Sequence, residues 1–251
     1  MRKMWLGGLA ALLLSALVQA GGSPWKTKPF EKWTEKDVAE VLQTSPWSKP
    51  GVQASGAWRP VEMAPISDST RGIVAGGSSD GSKVSEGPLN GTPGSGSKTS
   101  NTGPRPYNVF WWSSRTIRAA TARLAVLKGT MTEAAAEQFV TRPRDEYEVR
   151  IQGEDMSVFQ ERGEKPFAAA AFLQMKKTKA KVFPSHVAFV RSADGSTVTA
   201  AVFCFPRRDA AGVPTIAPGE KEIDFYLQIG DHKLLTYFEP KQMQDIQGDD
   251  L

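Results

Sequence analysis

Few side chains in this 251-residue sequence could do chemistry: Ser113-Ser114, His186, His232, one cysteine at Cys204, and the run Lys176-Lys177-Thr178-Lys179-Ala180-Lys181. A serine between a strand and a helix can be a hydrolase nucleophile, with His186 or His232 as its base. Ser113-Ser114 has that position but lacks the glycines that let a strained elbow approach its neighbours. We therefore read the pair as the cap of the following helix. His186, His232 and Cys204 are the soft ligands, and no two are spaced to meet on a helix or a zinc knuckle, so no metal or cofactor is expected. His186 follows Pro184-Ser185 and His232 follows a turn, both exposed positions by this reading. Cys204 alternates with Val198, Ala200 and Val202, which places it on the apolar side of a central strand as a small hydrophobe. Lone in the chain, it can form no internal disulfide.

The remaining candidates are for binding. Lys176, Lys177, Lys179 and Lys181 could contact an anionic polymer such as envelope polysaccharide, although a charge run of this kind is more often a solvated loop. Trp33 and Trp47 could stack on sugar rings or a partner protein, whereas Trp111-Trp112, inside an apolar strand, read as core.

The elements that must position these groups begin after a leader. Arg2 and Lys3 precede an apolar run from Met4 to Val18, and Val18-Gln19-Ala20 offers small residues at a cleavage point, so residues 1–20 read as a signal peptide. The expectation is an exported protein, periplasmic or extracellular, with no transmembrane segment once the leader is removed. Of 31 Lys and Arg against 27 Asp and Glu, the leader takes two basic residues. The near-neutral remainder lacks the basic footprint that nucleic acid requires, so no nucleic-acid partner is expected.

Residues 21–61 form a tryptophan-rich segment around a short helix. Thr34 with Asp37 makes a capping box, Trp33 and Val38 a hydrophobic staple, and Pro46 ends the helix. Ser23-Pro24-Trp25 recurs as Ser45-Pro46-Trp47, which in so Pro/Trp-rich a stretch reads as coincidence. Residues 62–106, dominated by Gly, Ser, Thr, Pro and Asn, read as a disordered linker that cannot offset its conformational entropy by burial.

Residues 107–251 read as an α+β domain. The strand Tyr107 to Trp112 leads to a helix ending at Gly129, with Arg115, Arg118 and Arg123 toward solvent. Thr130 with Glu133 caps a second helix that stops at Arg142-Pro143. Tyr147, Val149 and Ile151 alternate as a strand, and residues 167–177, alanine-rich yet able to enter a sheet, lean to strand. His186–Arg191 and Thr197–Phe205 meet at Asp194-Gly195, and Ile223–Ile229 and Leu234–Phe238 at Gly230-Asp231, both hairpin signals. Together these make an antiparallel β-meander sheet with two helices on one face.

Trp33-Thr34-Glu35 with Val38, Leu42 and Ser45-Pro46-Trp47, then Ser113-Ser114 and Arg118, then Lys241, Met243, Gly248, Asp250 and Leu251, resemble a group of exported bacterial proteins of uncharacterised function. The match spans most of the chain beyond the leader and departs at the Gly/Ser insertion. The resemblance implies export and a shared architecture, and it brings no activity or ligand. The reading from sequence is a noncatalytic interaction or structural module of the cell envelope, binding an envelope protein or polysaccharide. The alternative is a hydrolase whose serine or carboxylate site short motifs do not reveal.

Overall fold

A computed structural model of the chain describes residues 22–54 and 105–251. The expected leader, residues 55–61 and nearly all of the expected linker lie outside the described residues. The fold is α+β with antiparallel sheets. A five-stranded sheet has the order β1 (Ser48–Ala54), β2 (Arg105–Trp111), β3 (Glu146–Gln152), β7 (Val198–Pro206), β6 (His186–Arg191). A four-stranded sheet has the order β5 (Lys181–Val182), β4 (Ala171–Met175), β8 (Ile223–Ile229), β9 (His232–Phe238). A small ribbon pairs β10 (Gln244–Asp245) with β11 (Gly248–Asp249).

The strands are thus antiparallel as expected but divided between two sheets rather than joined in one meander. Alternation shows that one side of a strand is buried, and it does not say against what. In β3 the pattern buries Tyr147, Val149 and Ile151, and in β8 it buries Ile223, Phe225, Leu227 and Ile229. These faces meet. The Phe225 ring lies 5.3 Å from Phe203 and 6.3 Å from Phe205, Trp111 lies 5.1 Å from Phe238, and Tyr107 lies 5.8 Å from His232. Burying an aromatic ring of this kind contributes about 1.5–3 kcal/mol, so the inter-sheet layer is a large source of stability. His232, expected exposed, is one of its members and is almost fully buried.

The first four helices gather where β2 and β7 end and β1 and β3 begin. α1 (Pro24–Thr27) and α2 (Glu35–Thr44) precede β1, and α3 (Arg115–Leu127) and α4 (Glu133–Thr141) join β2 to β3. The Thr34 and Asp37 capping box of α2 forms as expected. α3 is capped by Ser114, whose Oγ accepts from Ile117 N–H and donates to the Trp111 carbonyl. The cap of α4 is Thr132 and not Thr130. Gly129 turns with φ +70° at the end of α3, and Thr130 is used there, its N–H and hydroxyl both donating to the Ala125 carbonyl.

Arg118, expected toward solvent, is buried and donates to the carbonyls of Ser114, Phe139 and Arg142. It thereby bonds the start of α3 to the end of α4, where the last carbonyls have no partner within the helix. Desolvation, with Arg144 nearby, pulls its guanidinium down to about 10. Residues 167–177 contain both states: α6 (Glu164–Ala170) takes three of the four alanines and passes directly into β4 at Ala171, while α5 (Ser157–Gln160) lies upstream. The tryptophan-rich segment is more than a helix, because it continues into β1 and supplies the sheet's edge beside β2.

Candidate functional site

The serines offer no nucleophile. Ser114 is fully buried and committed to its cap, and Ser113 is buried beside it. A different serine stands near a histidine and a carboxylate. Ser185 Oγ donates to Glu146 Oε1 and lies 3.0 Å from His186 Nδ1, with Glu146 Oε2 3.8 Å from that nitrogen. A hydrolytic triad needs the imidazole between serine and carboxylate. Here the serine bonds the carboxylate directly and also reaches the Cys204 carbonyl at 3.0 Å, so the order required for general-base catalysis is absent.

Cys204 is buried on β7, but it projects from the outer face of the five-stranded sheet, away from the inter-sheet layer, beside Glu146 and His186. Burial first, then the charges of Glu146 and Glu148, push its thiol up to about 12. A thiol at that value holds almost no thiolate at neutral pH. In metal-free protein, Ellman's reagent is expected to label Cys204 at least about tenfold more slowly than in the urea-unfolded chain; equal rates would show an accessible thiol.

Trp33 and Trp47 are not available to a ligand. They are 3% and 0% exposed, and the interaction role expected for them is replaced by a structural one. The lysine run is an exposed turn between β4 and β5, with Lys179 in the left-handed region at φ +59°. Lys176 pairs with Glu222 at 2.5 Å, so part of the run's charge is met within the protein, and Glu220 accepts from the main-chain N–H of Lys177. Lys181 turns back and lies 4.2 Å from the centre of the Phe172 ring.

That last contact leads to a surface the sequence reading missed. The outward residues of the four-stranded sheet fall in register, with Phe172 opposite Tyr226 and Tyr226 opposite Leu235. The Phe172 and Tyr226 rings are stacked at 4.7 Å, and Phe183 adjoins Phe172 at 5.9 Å. The next row holds Gln174, Asp224 and Tyr237, and a third pairs Gln228 with Lys233. Phe183, Leu235 and Tyr237 are each about half exposed, at 53%, 52% and 49%. Cations border the rings: Lys181 over Phe172, Lys233 5.2 Å from Tyr226, and Lys49 5.2 Å from Tyr237.

A contiguous aromatic face of this sort is unusual on a free surface. Phe172 and Tyr226 hold one another in place by stacking face to face, and Gln174 and Gln228 add amide donors and acceptors in the neighbouring rows. The alternation carried a signal, since Tyr226, Leu235 and Tyr237 occupy polar-side positions of the hairpin. No helix among the described residues is long and apolar enough to cross a membrane. No protein-family model matches the chain, and neither a curated protein nor a solved structure matches it.

Proposed function

We propose that this chain is an exported, noncatalytic binding module of the cell envelope that holds an acidic polysaccharide on the outer face of its four-stranded sheet. The observation that carries this reading is the platform of Phe183, Phe172, Tyr226 and Tyr237 edged by Lys181, Lys233 and Lys49. Pyranose rings present flat C–H faces that stack on aromatic rings, and the carboxylates of uronic acids suit the ammonium groups at the platform's edge. A neutral glucan would satisfy the rings and leave the lysines unused. The leader read in residues 1–20 supports export, and the absence of a triad geometry at Ser185 favours binding over hydrolysis.

Affinity electrophoresis of the full chain in gels containing polygalacturonate or dextran tests the proposal. Retardation is expected in polygalacturonate and not in dextran. Tyr226→Ala should weaken binding by about tenfold, a stacked base or ring being worth about 1–3 kcal/mol in aromatic platforms that bind single-stranded nucleic acid. Lys181→Gln with Lys233→Gln should reduce binding and its salt dependence, with the melting temperature unchanged. Polygalacturonate binding that Tyr226→Ala leaves intact would remove the platform from the account.

A further inference from the structure

We infer that Glu146, His186 and Cys204 form a binding site for a borderline-soft divalent metal ion of the zinc class, built across three strands on the opposite side of the protein from the aromatic platform. The site rests on strand register, which neither chain spacing nor a helix could have supplied. His186 of β6 lies directly opposite Cys204 of β7, so both project from the same face. On the other side of β7, Glu146 of β3 pairs with Pro206, two residues beyond Cys204 and therefore on the same face again. One carboxylate oxygen, one imidazole nitrogen and the thiol sulfur all lie within 4.8 Å of one another.

The donor set selects the ion. A thiol and an imidazole exclude calcium and magnesium, which take oxygen, and suit zinc, for which three protein ligands and an open fourth position are an established arrangement. Metal–ligand bonds of about 2.0–2.3 Å place tetrahedral ligands roughly 3.3–3.7 Å apart, so the cluster must close by about 1 Å. The two more exposed members can supply that movement, the side chains of His186 and Glu146 being 57% and 30% exposed, while Cys204 is fixed in an interior strand. On binding, the sulfur–hydrogen bond breaks, the proton passes to solvent, and the sulfur lone pair forms the bond to the ion. His186 contributes Nδ1 and Glu146 one oxygen. Ser185, already 3.0 Å from Nδ1, stands where it can hydrogen-bond a water in the fourth position.

The test uses the full chain, reduced and freed of metal, titrated calorimetrically with zinc chloride alone, with cobalt(II) as a spectroscopic substitute. Expected results are one zinc per chain, weakened about tenfold or more in His186→Ala and in Glu146→Gln. Cobalt should give tetrahedral bands with a sulfur-to-cobalt charge-transfer band that Cys204→Ser abolishes. The outer-face position of His186 makes its variant safe for folding, so that measurement stands even if Cys204→Ser proves unstable. No stoichiometric zinc binding, binding unchanged in His186→Ala, or a cobalt spectrum without sulfur charge transfer would each overturn the site. Because the polysaccharide experiment contains no metal, the two readings fail independently.

Discussion

Trp47→Ala is expected to lower the unfolding free energy by about 4 kcal/mol, since truncating a fully buried tryptophan costs about 3–5 kcal/mol through lost transfer energy and the cavity left behind. Trp47 is 0% exposed. Its ring meets Trp25 edge to face at 6.0 Å, and its Nε1–H donates to the Asp250 carbonyl at 2.6 Å. The substitution therefore opens a cavity between the tryptophan-rich segment and the rest of the protein and leaves a buried carbonyl without its donor. The backbone bond from the Trp111 N–H to the Trp47 carbonyl survives, so β1 should remain beside β2. Urea unfolding followed by circular dichroism measures the loss as a shifted midpoint with the slope preserved. Trp47→Phe, which keeps much of the ring and loses only the N–H, should cost less, about 1–2 kcal/mol for the lost buried hydrogen bond and a small void. A loss below about 1 kcal/mol for Trp47→Ala would mean that residues 22–54 contribute little to the folded unit.

What the sequence made legible is local. Gly230-Asp231 announced its hairpin because a two-residue turn needs a residue tolerant of positive φ, and Gly230 adopts +58°; Asp194-Gly195 marked the longer loop between Arg191 and Val198, where Gly195 adopts +74°. Thr34 and Asp37 announced α2 because a capping box is contained within four residues. β1 was hidden, since Pro50 and Gly51 break any strand pattern in SKPGVQA and its pairing shifts register between Lys49 and Val52. The division into two sheets was hidden too, for a period of two is the same in either. The repeated Ser-Pro-Trp triplet read as coincidence, yet its two tryptophans pack together, a contact that depends on the turn through α2. The Glu146, His186 and Cys204 cluster lay out of reach for the same reason, because cross-strand neighbours 18 and 58 residues apart have no spacing signature. The aromatic face was half legible: exposed Leu235 and Tyr237 stood on the polar side of the Ile223–Phe238 hairpin.

Asp250→Ala should cost about 3 kcal/mol, because charge-assisted hydrogen bonds contribute about 1.5–3 kcal/mol each and lost helix caps about 1 kcal/mol. Its two carboxylate oxygens accept from the first N–H groups of α3, Arg115 at 2.7 Å and Thr116 at 2.9 Å. Ser114 caps the same helix through Ile117 N–H, so three of the orphan donors are shared between a local and a distant acceptor. The negative charge also faces the positive end of the helix dipole, and Arg115 Nε is 3.8 Å away. Burial nevertheless outweighs these contacts and raises the Asp250 carboxyl above its ordinary 3.8. A raised value in the folded state means that the folded protein holds the proton more tightly than the unfolded chain does. Stability from this group is then greatest in acid and declines as the pH rises from 3.8 through the folded value, above which it is constant. Asp37 runs the other way. Its own burial opposes ionisation, but the bonds from Lys28 and Thr34 prevail and hold it below 3.8, so its contribution is lost on acidification. The two are separated by comparing the wild type with Asp250→Asn across pH, since Asp37 is common to both. The difference in unfolding free energy should narrow as the pH rises above 3.8 and then level off; a difference that widened over that range would show that the helix dipole and Arg115, and not desolvation, govern the buried carboxylate.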